Sequence, residues 1–365
     1  MNISEIKAKS IEKIAKNAEV LKDALPYTTK DGKYDDMTNA MSHWWTNSFW
    51  SGILWEMYGQ TGDITYADYA IGCEKKLEKV LCGYTRDDHD LGFLWLLSGV
   101  EHFERFKHFG AERAKNDALL AASVLASRYD LKAKVIRAWN GDGGKGLALI
   151  DCMMNLPLLY WASKQEDDTR FKKIAMSHAD SVIKNFVREN GSVCHIVKFD
   201  TETGERLDDF GGQGYKQGSS WTRGQSWAIY GFVQSYQWTK EERYLETAKK
   251  VADYFIAEAK KNDYKIKCDF CQPEDDDLYD SSAAAIAACG MIEIYKETGD
   301  KKYLEEAEKL ILADSDNFCP WDDENDMALV NFGSESFTKH EHLALIYGDY
   351  YFFHAVCGLD EILNQ

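Results

Sequence analysis

The sequence predicts an all-α protein, an (α/α)6 barrel of six inner and six outer helices, with residues 1–365 forming one domain. Three observations carry this reading. A short theme, a small or acidic turn followed by an aromatic residue with alanine four positions on, recurs at intervals of about 50–70 residues. An apolar stretch precedes each copy and a charged, amphipathic stretch follows it, as inner and outer helices would. These stretches pair into about six helical hairpins, enough to close a ring.

The elements follow in order. MNISEIKAKSIEKIAKNAEVLKDAL spaces Ile3, Ile6, Ile11, Ile14 and Val20 among charges, which makes it an outer amphipathic helix rather than the unbroken apolar run of an export signal. SFWSGILWEMYG is the first inner helix, and TGDITYADYA opens the next outer one with Tyr66 and Ala70. DLGFLWLLSGVEHF, DCMMNLPLLYWAS, GQSWAIYGFVQSY and SSAAAIAACGMIEIY continue the inner series. Their outer partners start at a degenerate FGAERAKNDA (Ala114, Ala118), EDDTRFKKIA (Phe171, Ala175), TKEERYLETA (Tyr244, Ala248) and TGDKKYLEEA (Tyr303, Ala307). HLALIYGDYYFFHAVCGL is the last inner helix. GSVCHIVKFD alternates with period two and reads as a short strand inserted between helices. An open solenoid is the competing architecture. The ring-closing count, and long connections rich in Trp, Gly, His and Asp ahead of the inner helices, weigh against it.

Composition narrows the function classes. Four prolines and no Ser/Gly-rich tract leave no linker, while 45% hydrophobic residues, 11 Trp and 20 Tyr supply a large core with aromatic side chains to spare for a cleft. A net charge of −18 excludes nucleic acid and anionic membrane surfaces as partners, so an anionic ligand would need a local cationic pocket. Nine scattered cysteines, with Cys73, Cys152 and Cys289 inside apolar runs, point to buried thiols and a cytoplasmic location. Cys268 and Cys271 have CxxC spacing, but no second CxxC or HxxxH completes a ligand set, and neither metal nor cofactor is expected.

If inner and outer helices alternate, all inner N-termini meet at one rim. The residues there are His89 and Asp90, Asp151, Arg223 and Gln225, and Asp280; the adjoining loops add Trp50, Trp139, His195, Gln213, Trp221 and Trp227. Each aspartate alone reads as a helix cap. Their convergence among tryptophans, whose faces suit sugar rings, points instead to a carbohydrate cleft.

The stretches HDLGF, DCMMNLPLLYWAS, RGQSWAIYGF and DSSAAAIAA, in this order and spacing, resemble the unsaturated glucuronyl hydrolases of glycoside hydrolase family 88, and the likeness runs from about Trp44 to Tyr351. The resemblance implies an (α/α)6 barrel and a cytoplasmic enzyme. Its partner would be a small anionic oligosaccharide, made by a polysaccharide lyase, with a 4,5-unsaturated uronic acid at its non-reducing end. It implies hydration of the C4=C5 bond, with the essential aspartates on Asp90 and Asp151. Substrate contacts would fall on His89, Trp139, His195, Gln213, Trp221, Arg223 and Trp227, with Trp50 in a stacking role. A general acid needs a raised pKa, and Asp151 is expected to be that acid, raised by Asp90, with His195, Arg223 and Gln213 holding carboxylate and hydroxyls. Unsaturated rhamnogalacturonyl hydrolases and a non-catalytic sugar-binding barrel are the alternatives.

The resemblance also carries a sulfate expectation. Members favouring sulfated chondroitin disaccharides resemble one another in a C-terminal Ser-x-x-Ser-x-Lys pattern; here GSESFTKH keeps Ser334 and Lys339 but has Phe337 at the second serine. Half the site is present, so unsulfated disaccharides are expected to be turned over at least as well as 6-sulfated ones.

Overall fold

A computed structural model describes residues 1–82, 88–107 and 110–364. Among the described residues thirteen α-helices follow in order: α1 (Ile3–Leu21), α2 (Phe49–Thr61), α3 (Ile64–Leu77), α4 (Leu91–Trp95), α5 (Glu101–Arg105), α6 (Ala111–Ser127), α7 (Leu156–Glu166), α8 (Thr169–Asn185), α9 (Thr222–Thr239), α10 (Glu242–Ala259), α11 (Ser281–Thr298), α12 (Lys301–Asn317) and α13 (Ile346–Leu363). A π-helical turn, Leu96–Val100, joins α4 and α5 into one rod. The inner rods are therefore α2, α4–α5, α7, α9, α11 and α13. Each touches the next, and α13 returns to pack on α2, closing the ring. The expected (α/α)6 barrel is the fold.

The repeated theme has a local cause. The inner helices α2, α7, α9 and α11 end on a left-handed residue, Gly62, Asp167, Lys240 or Gly299. An aspartate then caps the following outer helix at three of these joints: Asp63 accepts from the Thr65 N–H, Asp168 from Arg170 and Asp300 from Lys302. The aromatic and the alanine four residues later lie on one face of that helix; Tyr244 and Ala248, like Tyr303 and Ala307, are buried against the inner ring. Inner helices are instead buried nearly all round, as α9 from Thr222 to Val233 and α11 from Ser281 to Ile292. No helix among the described residues is long and apolar enough to cross a membrane.

The predicted strand is β6 (Ile196–Phe199), the centre of a three-stranded antiparallel sheet with β5 (Leu147–Leu149) and β7 (Arg206–Phe210); β1 to β4 are two-residue strands forming two small hairpins, Thr29–Lys30 with Lys33–Tyr34 and Tyr129–Asp130 with Val135–Ile136. Leu149 pairs with Ile196, and the Ile150 N–H donates to the His195 carbonyl at 3.0 Å. The sheet thus brings His195 beside Asp151.

One expected element differs. DCMMNLPLLYWAS does not form a single α-helix: Ile150–Met154 is a 3-10 turn and α7 begins only at Leu156. Pro157, lacking an N–H, belongs in a first helical turn, which leaves the residues before it outside the α-helix.

Candidate active site

Asp90 and Asp151 meet across Asn155. The Asn155 amide nitrogen donates to the Asp90 carboxylate at 3.2 Å and to the Asp151 carbonyl at 3.3 Å, while its oxygen accepts from the Phe93 N–H at 2.9 Å. The glycine of HDLGF permits this approach, because a Cβ on Gly92 would lie 2.4 Å from the Asn155 Cα. Asn155 escaped the sequence reading. Its signal was a lone amide four residues after Asp151 in an apolar run.

A histidine flanks each carboxylate. His89 Nε2 lies 3.5 Å from Asp90 Oδ1, and His195 Nε2 lies 3.5 Å from Asp151 Oδ2. The His89 N–H donates to the Ala138 carbonyl, tying it to the neighbour of Trp139, which is 38% exposed on its loop. His195 Nδ1 lies 3.0 Å from the Gln213 N–H and 3.3 Å from the Gly211 carbonyl; the shorter contact is with a group that can only donate, so it favours a neutral His195 with its proton on Nε2, toward Asp151. Its ring lies 4.2 Å from that of Trp221.

The electrostatics reverse one expectation. Burial first, and then the charge of Asp151, push Asp90 up to about 7 against the pull of Asn155 and Arg128. Burial pushes Asp151 upward too, but the hydrogen bond and charge of His195, with His89 adding, outweigh it and hold Asp151 below the usual carboxylate range. The pair therefore keeps its proton on Asp90, not on Asp151, in the free site. Burial lowers His89.

None of the three aspartates caps a helix with its side chain, although Asp90 and Asp280 stand at the N-cap positions of α4 and α11. Asp90 and Asp280 make no side-chain cap bond, and Asp151 lies inside the 3-10 turn. Asp280 is instead the buried partner of Arg223, at 2.6 Å. The Arg223 guanidinium also donates to the Ser334 carbonyl and, at 2.9 Å, to that of Glu335, and it lies between the rings of Trp221 and Tyr347. Its charge is already met, so it is a pillar under the Ser334–Lys339 segment and not the open uronate clamp expected of it. Gln213 joins the same segment, its amide donating to the Glu335 carbonyl at 2.6 Å. Gln225 is spent on Val193 and Gly191.

Trp50 does not reach the cleft. It is buried, and its indole N–H donates to the Lys22 carbonyl at 2.8 Å, tying α2 to the end of α1. Trp227, expected in a loop, lies inside α9 and is likewise buried, against Phe93 and Tyr351, while Trp221 is the residue immediately before α9. The sulfate half-site is not assembled for a ligand. Ser334 is fully buried, Lys339 is paired with Glu335, and Phe337 packs its ring 4.8 Å from that of Tyr215.

Several buried polar atoms here are poorly satisfied: Asp151 Oδ2 and His195 Nε2 meet only each other, at 3.5 Å, and His89 Nδ1 and the indole nitrogens of Trp221 and Trp227 make no hydrogen bond. Buried polar atoms are normally bonded, and a cluster of exceptions suits a ligand rich in oxygen atoms. Cys268 is buried and Cys271 exposed, both as free thiols.

The chain is similar along its length to known proteins. The family described as Glycosyl Hydrolase Family 88 matches residues 17–237, and the β-L-arabinofuranosidase GH127 catalytic domain matches residues 216–333. The unsaturated glucuronyl hydrolase of Bacillus sp. (strain GL1) is 34% identical over 360 residues, covering 95% of this chain and 93% of that protein. The unsaturated chondroitin disaccharide hydrolase of Streptococcus pyogenes serotype M1 is 31% identical over 358 residues, covering 95% and 88%. The crystal structure of the Bacillus sp. GL1 enzyme, described as responsible for the degradation of glycosaminoglycan, superimposes with a TM-score of 0.90 at 33% identity over 97% of this chain and 96% of that one. With a family match over more than half its length and relatives alike from end to end, the chain belongs to Glycosyl Hydrolase Family 88.

Proposed function

We propose that this protein is an unsaturated glucuronyl hydrolase, its whole chain one catalytic domain, that releases a 4,5-unsaturated uronic acid from the non-reducing end of lyase-generated, glycosaminoglycan-type disaccharides. The observation that carries the reading is the buried Asp90–Asp151 pair, which holds one proton near neutral pH between two histidines. Free thiols, six of them buried among the described residues, suit a cytoplasmic enzyme.

The C4=C5 bond of such a sugar is a vinyl ether. Protonation at C4 leaves a cation at C5 stabilised by the ring oxygen. Water adds at C5 and loses a proton to the carboxylate that donated the first, and the hemiketal opens the ring and expels the aglycone. One carboxyl group can therefore serve as acid and then base, unlike the paired carboxylates around C1 of ordinary glycosidases. We assign that role to Asp151. A bound uronate brings another negative charge beside it and diverts His195, removing what holds Asp151 down in the free site, so the shared proton passes from Asp90 to Asp151. In this reading the donors of His89, His195 and Trp221 meet the carboxylate and hydroxyls, and Trp139 the sugar face.

The test is loss of double-bond absorbance with a panel of unsaturated disaccharides, including pectin-derived ones. Asp151→Asn is expected to remain folded and to lose about 10²-fold or more in rate. Turnover by that variant within about tenfold of the parent would remove Asp151 from its role.

A further inference from the structure

Asp269 lies behind the cleft residues, fully buried and with its carboxylate saturated. Oδ1 accepts from the Ser220 N–H at 3.1 Å and the Cys271 N–H at 2.8 Å; Oδ2 accepts from the Tyr215 N–H at 2.9 Å and the Ser219 hydroxyl at 2.6 Å. Its backbone forms an isolated antiparallel bridge with Trp221, flanked by Phe270 N–H to the Ser220 carbonyl and Thr222 N–H to the Cys268 carbonyl. Gly214 is pressed against the same carboxylate, where a Cβ would come 2.6 Å from Oδ2. One side chain thus holds both ends of the Gln213–Trp221 loop. That loop delivers the Gln213 N–H to His195 Nδ1 and the Trp221 ring to the His195 ring.

We propose that Asp269 is a positioning residue for the hydration reaction: by anchoring the Gln213–Trp221 loop it keeps His195 in the tautomer whose Nε2–H faces Asp151 in the free site and is free to turn to the uronate when substrate binds. The kinetic half of the proposal rests on the function proposed above, while the tautomer half stands apart from it. A carboxylate is required because four donors converge on it, and an acceptor-only group is the side chain that meets them all. Asparagine can satisfy Ser220 and Cys271 through its oxygen, and the Ser219 hydroxyl can turn to accept. Its NH2 group then faces the Tyr215 N–H, donor against donor, next to the Gly214–Gln213 segment that bonds His195.

The experiment uses the full-length chain as parent, Asp269→Asn and Gly214→Ala, the last displacing the same segment with the carboxylate left in place. Long-range proton–nitrogen NMR of the histidine rings reads the His195 tautomer, and disappearance of the double bond reads kcat and KM. The expected result is a parent with His195 in the Nε2–H form. In either variant that remains folded, the His195 signals shift toward the Nδ1–H form and kcat falls by about tenfold or more, with a smaller change in KM. An unchanged His195 tautomer in a folded variant, or kcat within about threefold of the parent, overturns the proposal. A parent that leaves every unsaturated disaccharide intact would instead refute the proposed function, and the NMR comparison would still decide the role of Asp269.

Discussion

Replacing Asp90 with asparagine should stabilise the protein while disabling it, and the gain should depend on pH. The Asp90 carboxyl ionises at about 7 in the fold and at 3.8 ordinarily. At about 1.36 kcal/mol per pH unit between those values, carrying its charge in the fold costs about 4 kcal/mol relative to the unfolded chain. Below pH about 4 the group is protonated in both states and contributes nothing. Between about 4 and 7 the unfolded chain ionises and the folded one does not, so stability declines; above about 7 the loss is complete and constant. Asparagine keeps an acceptor for Asn155 and never ionises. The stability of Asp90→Asn relative to the parent should therefore rise from near zero at acid pH to a plateau above about 7. Since the Asp90 side chain retains 15% exposure, a plateau of about 2–4 kcal/mol is the working figure. Urea denaturation of both proteins across this pH range measures the difference directly. A difference that does not vary with pH, or a variant less stable than the parent at pH about 8, would show that the proton does not reside on Asp90.

Further expectations follow from the same geometry. The pair must hold its proton to act as an acid, so kcat/KM should fall as pH rises through about 7; a flat profile from about 6 to 9 would contradict this. Arg223→Lys keeps a charge for Asp280 but loses the fork that reaches the Ser334 and Glu335 carbonyls and the flat face against Trp221 and Tyr347. It should cost about 2–4 kcal/mol of stability and raise KM through the Ser334–Lys339 segment, and unchanged melting and KM would remove its pillar role. With Lys339 paired to Glu335 and Phe337 in the place of a serine, an unsulfated disaccharide should compete at least evenly with its 6-sulfated counterpart; a preference of about tenfold or more for the sulfated sugar in one tube would refute that.

What was legible in the sequence was whatever depends on neighbours a few residues apart. Asp63, Asp168 and Asp300 cap outer helices where the repeated theme places an acidic turn, and Tyr244 with Ala248 shares a face because helical geometry puts residues four apart together. The alternation in GSVCHIVKFD marked β6 for the same reason, and the order of apolar and amphipathic stretches was enough to close the ring and bring Asp90, Asp151, Arg223 and Asp280 to one rim. Position at the rim does not say where a side chain points. Trp50 and Trp227 turned inward, Arg223 was claimed by Asp280 and two carbonyls, and Asp269, which no motif singled out, anchors the segment behind His195. The placement of the proton was furthest from reach. Asp90 and Asp151 are distant in the chain, and their pKa values depend on burial, on Asn155 and on which histidine lies beside which carboxylate. Those energies vary with distances of a few ångströms between residues that only the folded barrel brings together.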